Sequence, residues 1–224
     1  MKKTAIAFLI IGALASCNSS VKQPDYQALF KRSYDLKDIP TAITAAQLIL
    51  LNDSTNAVRD SLPKLYLAVQ NFEACLQTLD AALVSKPADD ELLKMKMICL
   101  EQVGKDEDLM KLAQNMFDKT GKVEYIYKVA SVHLATGNFT EANKVIDVMS
   151  EKFKAGKDSV DMFIDQVRTQ RVPVTAACWN MRGYYYVQTQ QYQKAAEAYK
   201  KAIQTYPDFI MARRNLEQLL QNFQ

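Results

Sequence analysis

The chain has 224 residues with 28 Lys and Arg against 25 Asp and Glu, a net charge of +3, and only six Gly and six Pro. So few turn residues exclude a collagen-like or Pro/Gly-rich disordered chain and argue against an all-β sandwich. A content of 49% hydrophobic and 24% charged residues suits a packed soluble domain, the single histidine excludes two-histidine sites, and near-neutrality excludes a global field for nucleic acid or anionic membrane.

Met1-Lys2-Lys3 precedes an apolar run from Ala5 to Ala15 and then Ser16-Cys17-Asn18-Ser19-Ser20. A positive start, eleven apolar residues and a small-residue boundary describe a secretory leader, whereas a membrane span needs ~20 apolar residues. Loss of the leader's two lysines leaves 26 basic against 25 acidic side chains, a net of +1. Leu14-Ala15-Ser16-Cys17 resembles the bacterial lipobox. That resemblance implies a signal peptide over 1–16 and a diacylglycerol and palmitate anchor on Cys17. Each buried lipid CH₂ contributes ~0.8 kcal/mol, so several acyl chains hold the protein on the membrane. Asn18, rather than Asp, after the cysteine resembles outer-membrane sorting in Gram-negative envelopes. The tether, residues 17–22, reaches about 20 Å at ~3.3 Å per residue, so the domain over 23–224 is expected close to the bilayer.

Beyond the tether the chain repeats itself. In a 34-residue window from Ala176, Trp179, Gly183, Tyr186, Ala195, Tyr199, Ala202 and Pro207 stand at positions 4, 8, 11, 20, 24, 27 and 32. This resembles the tetratricopeptide repeat (TPR), with Arg182 where the pattern has leucine at position 7. Small residues at 8 and 20 let two antiparallel helices approach, large ones at 4, 11 and 24 fill the space, and Pro207 ends the second helix. Weaker units start at Gln23, Asn56, Asp90 and Val123, spaced 33, 34 and 33 residues apart. The resemblance implies an all-α, right-handed α-solenoid of about five helix pairs. Residues 210–222 carry Met211, Leu216, Leu219 and Leu220 among Arg213, Arg214, Glu217 and Gln218, as a polar-faced C-terminal capping helix would.

Two departures interrupt the register. The last step is 53 residues, and its surplus, about 157–175, carries an amphipathic helical pattern over Val160–Val167 followed by Pro173. It predicts an extended second helix or an extra helical segment. Pro63 falls at position 8 of its unit, so that helix is kinked or starts late, with Asp60 or Ser61 as its cap.

A search for catalytic motifs is nearly empty. The chain has no Gly-x-Ser-x-Gly, no phosphate loop and no dinucleotide fingerprint. Gly104 and Gly137 fall at expected helix–helix turns. His133 occupies a large packing position, and Met95 and Met97 read as core. Asp89-Asp90-Glu91 and Asp106-Glu107-Asp108 fall at helix starts, where carboxylates favour the helix dipole. Cys75, Cys99 and Cys178 read as buried free thiols, with a Cys75–Cys99 bridge as the other arrangement. No enzyme, catalytic residue, metal or cofactor is expected.

In TPR arrays the first helices line a concave groove through positions 2, 5, 9, 12 and 13. Carried onto this chain, those slots hold Gln27, Lys31 and Tyr34, then Asp60, Lys64 and Leu67. Lys94, Ile98 and Glu101 come next, then Tyr127, Ser131 and Leu134, and last Asn180, Tyr184, Val187 and Gln188. Tyr127, Ser131, Asn180, Tyr184 and Gln188 are the candidate partner-binding residues. The chain resembles the TPR lipoproteins of Gram-negative envelopes, which serve in barrel assembly, secretin assembly or recruitment of cell-wall hydrolases. That resemblance implies a non-enzymatic scaffold or adaptor facing the periplasm and binding a protein or peptide, with no nucleic acid. The alternative is a small-ligand or glycan binding lipoprotein of an uptake system, with Tyr127 and Tyr184 as stacking platforms.

Overall fold

A computed structural model describes residues 24–54, 57–165 and 167–222. The expected signal peptide, Cys17 and the tether lie outside the described residues. The described residues fall into two compact units, divided between Val58 and Arg59. The first contains a helix pair, α1 (Tyr26–Asp35) and α2 (Ile39–Asn52). Asp25 and Asp38 cap these helices, accepting from the Ala28 and Thr41 N–H groups at 2.9 and 3.3 Å, and Pro40 sits in the first turn of α2, where a missing N–H costs nothing. α2 buries Ala42, Ala45, Ala46 and Ile49 along one face.

The second unit stacks α3 (Leu62–Ala68), α4 (Phe72–Ser85), α5 (Asp90–Gln102), α6 (Asp106–Thr120), α7 (Val123–Ala135) and α8 (Phe139–Lys152), each packed on the next. A hairpin of β1 (Ser159–Phe163) and β2 (Thr169–Pro173) intervenes before α9 (Val174–Gln188), α10 (Tyr192–Thr205) and α11 (Ile210–Asn222). The architecture is an all-α solenoid with one inserted hairpin. Within this unit the odd-numbered helices form one row, with contacts between α3 and α5, α7 and α9, and α9 and α11. Leu79, Leu109, Tyr125, Ile146 and Met149 are fully buried between the rows. Met95, Met97 and all three described cysteines are buried, and the cysteines are free thiols.

The repeat is clearest in its turns. In each helix pair an N–H bonds back five residues: Asp38 to Ser33, Asn71 to Tyr66, Lys105 to Leu100, Asn138 to His133 and Gln191 to Tyr186, at 2.8–2.9 Å. This is the six-residue Schellman closure, which needs one left-handed residue. Lys37, Gln70, Gly104, Gly137 and Gln190 supply it, with φ between 56° and 75°. Only two of the five are glycine, so the surrounding packing holds the other three in a conformation that costs an L-residue ~1–2 kcal/mol.

The structure corrects the reading of 157–175. Among its described residues no extra or extended helix forms; β1 and β2 pair antiparallel, with Val160 opposite Val172 and Met162 opposite Gln170. Val160, Met162 and Val172 point inward, while Asp161, Phe163 and Arg171 point out, which is the period of a strand. At the tip Asp165 accepts from the Val167 and Arg168 N–H groups and from the Arg168 side chain, closing the turn. Pro63 resolves as a late start: a 3₁₀ turn over Ala57–Ser61 leads into α3, with Ser61 at the cap position but without a side-chain bond. Pro63 in the first turn of α3 is fully buried, and its carbonyl accepts from the Cys75 thiol at 3.2 Å. Arg182 fills the leucine slot by lying over the Trp179 ring and reaching Asp147 of α8 at 2.6 Å. In α11 the inward residues are Ala212 and Leu219, whereas Leu220, expected beside them, is exposed.

Candidate functional site

The helices of the odd row carry the slots expected to face a groove, and in the second unit six of those slots line two separate cavities, Lys94, Ile98 and Glu101 one and Tyr184, Val187 and Gln188 the other. The Cα traces of α5 and α7 do not come into contact, and a groove of about 450 Å³ lies between them. Lys94, Ile98 and Glu101 line it from α5, and Lys128 lines it from α7. The hairpin leans on α7 and α9, so Asp161 and Arg171 form a further wall. Most of its charges are paired: Lys94 with Asp90 at 2.9 Å, Lys128 with both Glu101 oxygens at 2.9 Å, and Arg171 with Asp161 at 4.0 Å, while Glu124 of α7 lines the groove without an ion pair among the described residues. Between these pairs Ile98 is 45% exposed. One end is tied by the Tyr125 hydroxyl, which donates to Asp90 at 2.6 Å. That bond, with the Lys94 ammonium, holds the Asp90 carboxyl at about 2, well below the ordinary range. The Tyr125 hydroxyl is pushed up by burial and by the same carboxylate.

The second groove, about 500 Å³, lies among α9, α10 and α11. Tyr184 and Gln188 open into it, Tyr184 being 39% exposed. Its floor is an apolar cluster of Ala195, Tyr199 and Leu219 with Val187 and Leu216. Asn215 and Gln218 of α11 form the far wall. The hairpin is fastened to this end too. Gln170 donates to the Asp208 carbonyl at 2.7 Å and accepts from the Ile210 N–H at 3.2 Å, capping α11. Arg214 returns a bond to the Ile164 carbonyl at 3.0 Å.

The five candidate partner residues therefore do not form one site. Tyr184 and Gln188 share the C-terminal groove. Tyr127 is half-buried in α7, its hydroxyl pushed up by burial and within electrostatic reach of Cys178 in α9. Ser131 spends its hydroxyl on the Tyr127 carbonyl at 2.8 Å. Asn180 is buried, and its carbonyl accepts from Asn215 at 3.0 Å, so it is a helix–helix contact and not an open groove residue. Sequence reasoning passed over Tyr199, Asn215 and Gln218, and it had no means of placing Asp161 and Arg171 beside Ile98. His133 is half-buried beside Val129 and Met110 in a third cavity of about 820 Å³ between α6 and α7. Among the described residues no group of three His, Cys, Asp or Glu could hold a metal, and no helix is long and apolar enough to cross a membrane.

The last complete helix pair decides the family of its segment: residues 176–209 match the model of the tetratricopeptide repeat. The segment is a tetratricopeptide repeat. No curated protein matches the chain. Among solved structures the chain is similar to the MamA protein, at 15% identity over 80% of this chain and 89% of that one, with a TM-score of 0.57. It is similar to a TPR protein from Parabacteroides merdae ATCC 43184, at 13% identity over 87% and 72% of the two chains, with a TM-score of 0.61. A third is YrrB, described as a TPR protein with an unusual peptide-binding site, at 16% identity over 84% and 89%, with a TM-score of 0.56. At such identities the likeness is one of fold, an α-solenoid, over most of the chain.

Proposed function

We propose that this chain is a non-enzymatic TPR adaptor that holds a protein partner at the membrane surface by gripping an exposed peptide segment in the α5–α7 groove. The observation that carries the reading is Ile98, an exposed apolar anchor ringed by ion pairs of both signs. Such a groove suits a segment that presents one apolar side chain flanked by charges, the anchor supplying affinity and the charges register. YrrB's peptide-binding site, on a similar fold, supports the same use of this one. The lipobox-like Leu14–Cys17 supports anchoring through Cys17, with the domain facing the periplasm from the outer membrane.

Two measurements test the two halves. Labelled palmitate enters the wild-type protein and not Cys17→Ala; equal labelling of both would remove the anchor. Ile98→Asp places an unpaired carboxylate at the anchor position, and the partner that co-purifies with wild type is lost while membrane attachment persists. Undiminished co-purification with Ile98→Asp would move the partner to another face.

A further inference from the structure

The C-terminal groove differs in chemistry from the middle one. None of its nine lining residues is Asp, Glu, Lys or Arg, in a chain in which 24% of residues are charged. Its apolar members lie in the floor: Leu219 is buried and Val187 half-buried, so nothing equivalent to Ile98 is offered. What remains at the surface is carboxamides and phenols. The side-chain carboxamides of Gln188, Gln190 and Gln218 make no hydrogen bond among the described residues, and that of Asn215 uses only its N–H₂, leaving its carbonyl oxygen open. Tyr199 is 2% exposed and lines the cavity, yet its hydroxyl has no hydrogen-bond partner among the described residues. That hydroxyl is not among the buried side-chain atoms without a partner, so it is open to the cavity, where a ligand group can take the place of solvent. Burial pushes this hydroxyl up, so it stays a protonated donor at neutral pH.

We infer that this groove is a binding site for a neutral saccharide. A charged ligand would leave water here with no counter-charge to meet it. A sugar hydroxyl both donates and accepts, as a carboxamide does, so three or four amides can satisfy a polyol face without any ion. The exposed ring of Tyr184 offers a flat apolar platform for the C–H face of a pyranose, and the Tyr199 hydroxyl reaches up from the floor to a ring substituent. A volume of about 500 Å³ is that of a small-ligand site. This function stands apart from peptide recognition at Ile98, which lies in the other groove.

The test is titration of the full-length protein with neutral hexasaccharides of glucose in α- and β-linkage, of mannose and of N-acetylglucosamine, with oligogalacturonate as the acidic comparison. At least one neutral probe gives a saturable rise in melting temperature, and oligogalacturonate gives none. Tyr199→Phe removes one oxygen, keeps the helical circular dichroism and weakens that probe about tenfold; Tyr184→Ala weakens it at least as much. Silence across all neutral probes overturns the inference, as does binding unchanged in both variants. Crosslinks from Tyr184 into a protein, with the saccharides silent, would give the groove to an uncharged peptide instead. Loss of the partner in Ile98→Asp bears on neither result.

Discussion

A methyl group added at Gly183 would stand 2.3–2.8 Å from three ring carbons of Tyr199. Alanine ordinarily stabilises a helix interior by ~1 kcal/mol over glycine. Here the ring is buried and cannot swing aside, so the clash wins, and Gly183→Ala lowers stability by about 1–3 kcal/mol in urea denaturation. This contact was legible in the sequence: small at position 8 and large at 24 of one window are the two halves of a close helix crossing. The fate of Asn180 was not, because its burial depends on Asn215, which lies beyond the repeat in α11. Acid sensitivity also belongs to single residues. With its folded value lowered to about 2, Asp90 stabilises the protein at pH values above the ordinary aspartate range near ~3.9, and that contribution is lost as pH falls from about 5 towards 2. Tyr125→Phe removes the first cause of the shift, so the melting temperature of the variant falls less steeply across that window than that of wild type. Parallel curves would show that the bond does not couple to stability.

At the scale of elements, the hairpin shows where periodicity misleads. Val160, Phe163, Ile164 and Val167 fall on one helical face, and the same stretch read with period two puts Val160 and Met162 together. The structure takes the second reading: Phe163 and Val167 are 67% and 89% exposed, while Val160 and Met162 are buried against the odd helix row. The Asp165 turn and the paired Val172 favour a strand, but neither is visible until the partner strand is known. By contrast, the five helix pairs were legible because packing residues recur at a near-constant spacing, and two of the pairs also carry a glycine, Gly104 and Gly137, at the turn. Gln170 does for α11 what Asp25, Asp38, Asn71 and Asp89 do for their helices, but from 40 residues away in sequence. Gln170→Ala therefore costs about 1 kcal/mol and speeds amide exchange in the first turn of α11. Unchanged exchange there would mean that the hairpin does not support the last helix.

At the scale of the molecule, a stack of helix pairs offers its ligands whatever the odd row leaves open. In the second unit the inserted hairpin divides that row's surface: it walls the α5–α7 groove with Asp161 and Arg171 and holds α11 beside α9 at the other end. The result is one charged groove with an apolar anchor and one neutral groove with amides and phenols, on a chain whose Leu14–Cys17 resembles a lipobox. The central claim is that a protein segment docks on Ile98. The measurement that tests it most directly is photocrosslinking in intact cells, with the photoreactive residue at Ile98 and a control at Glu197, an exposed position on α10. A discrete protein adduct from position 98 and none from 197 is the predicted result. Adducts from 197 alone, or none from 98, would contradict it.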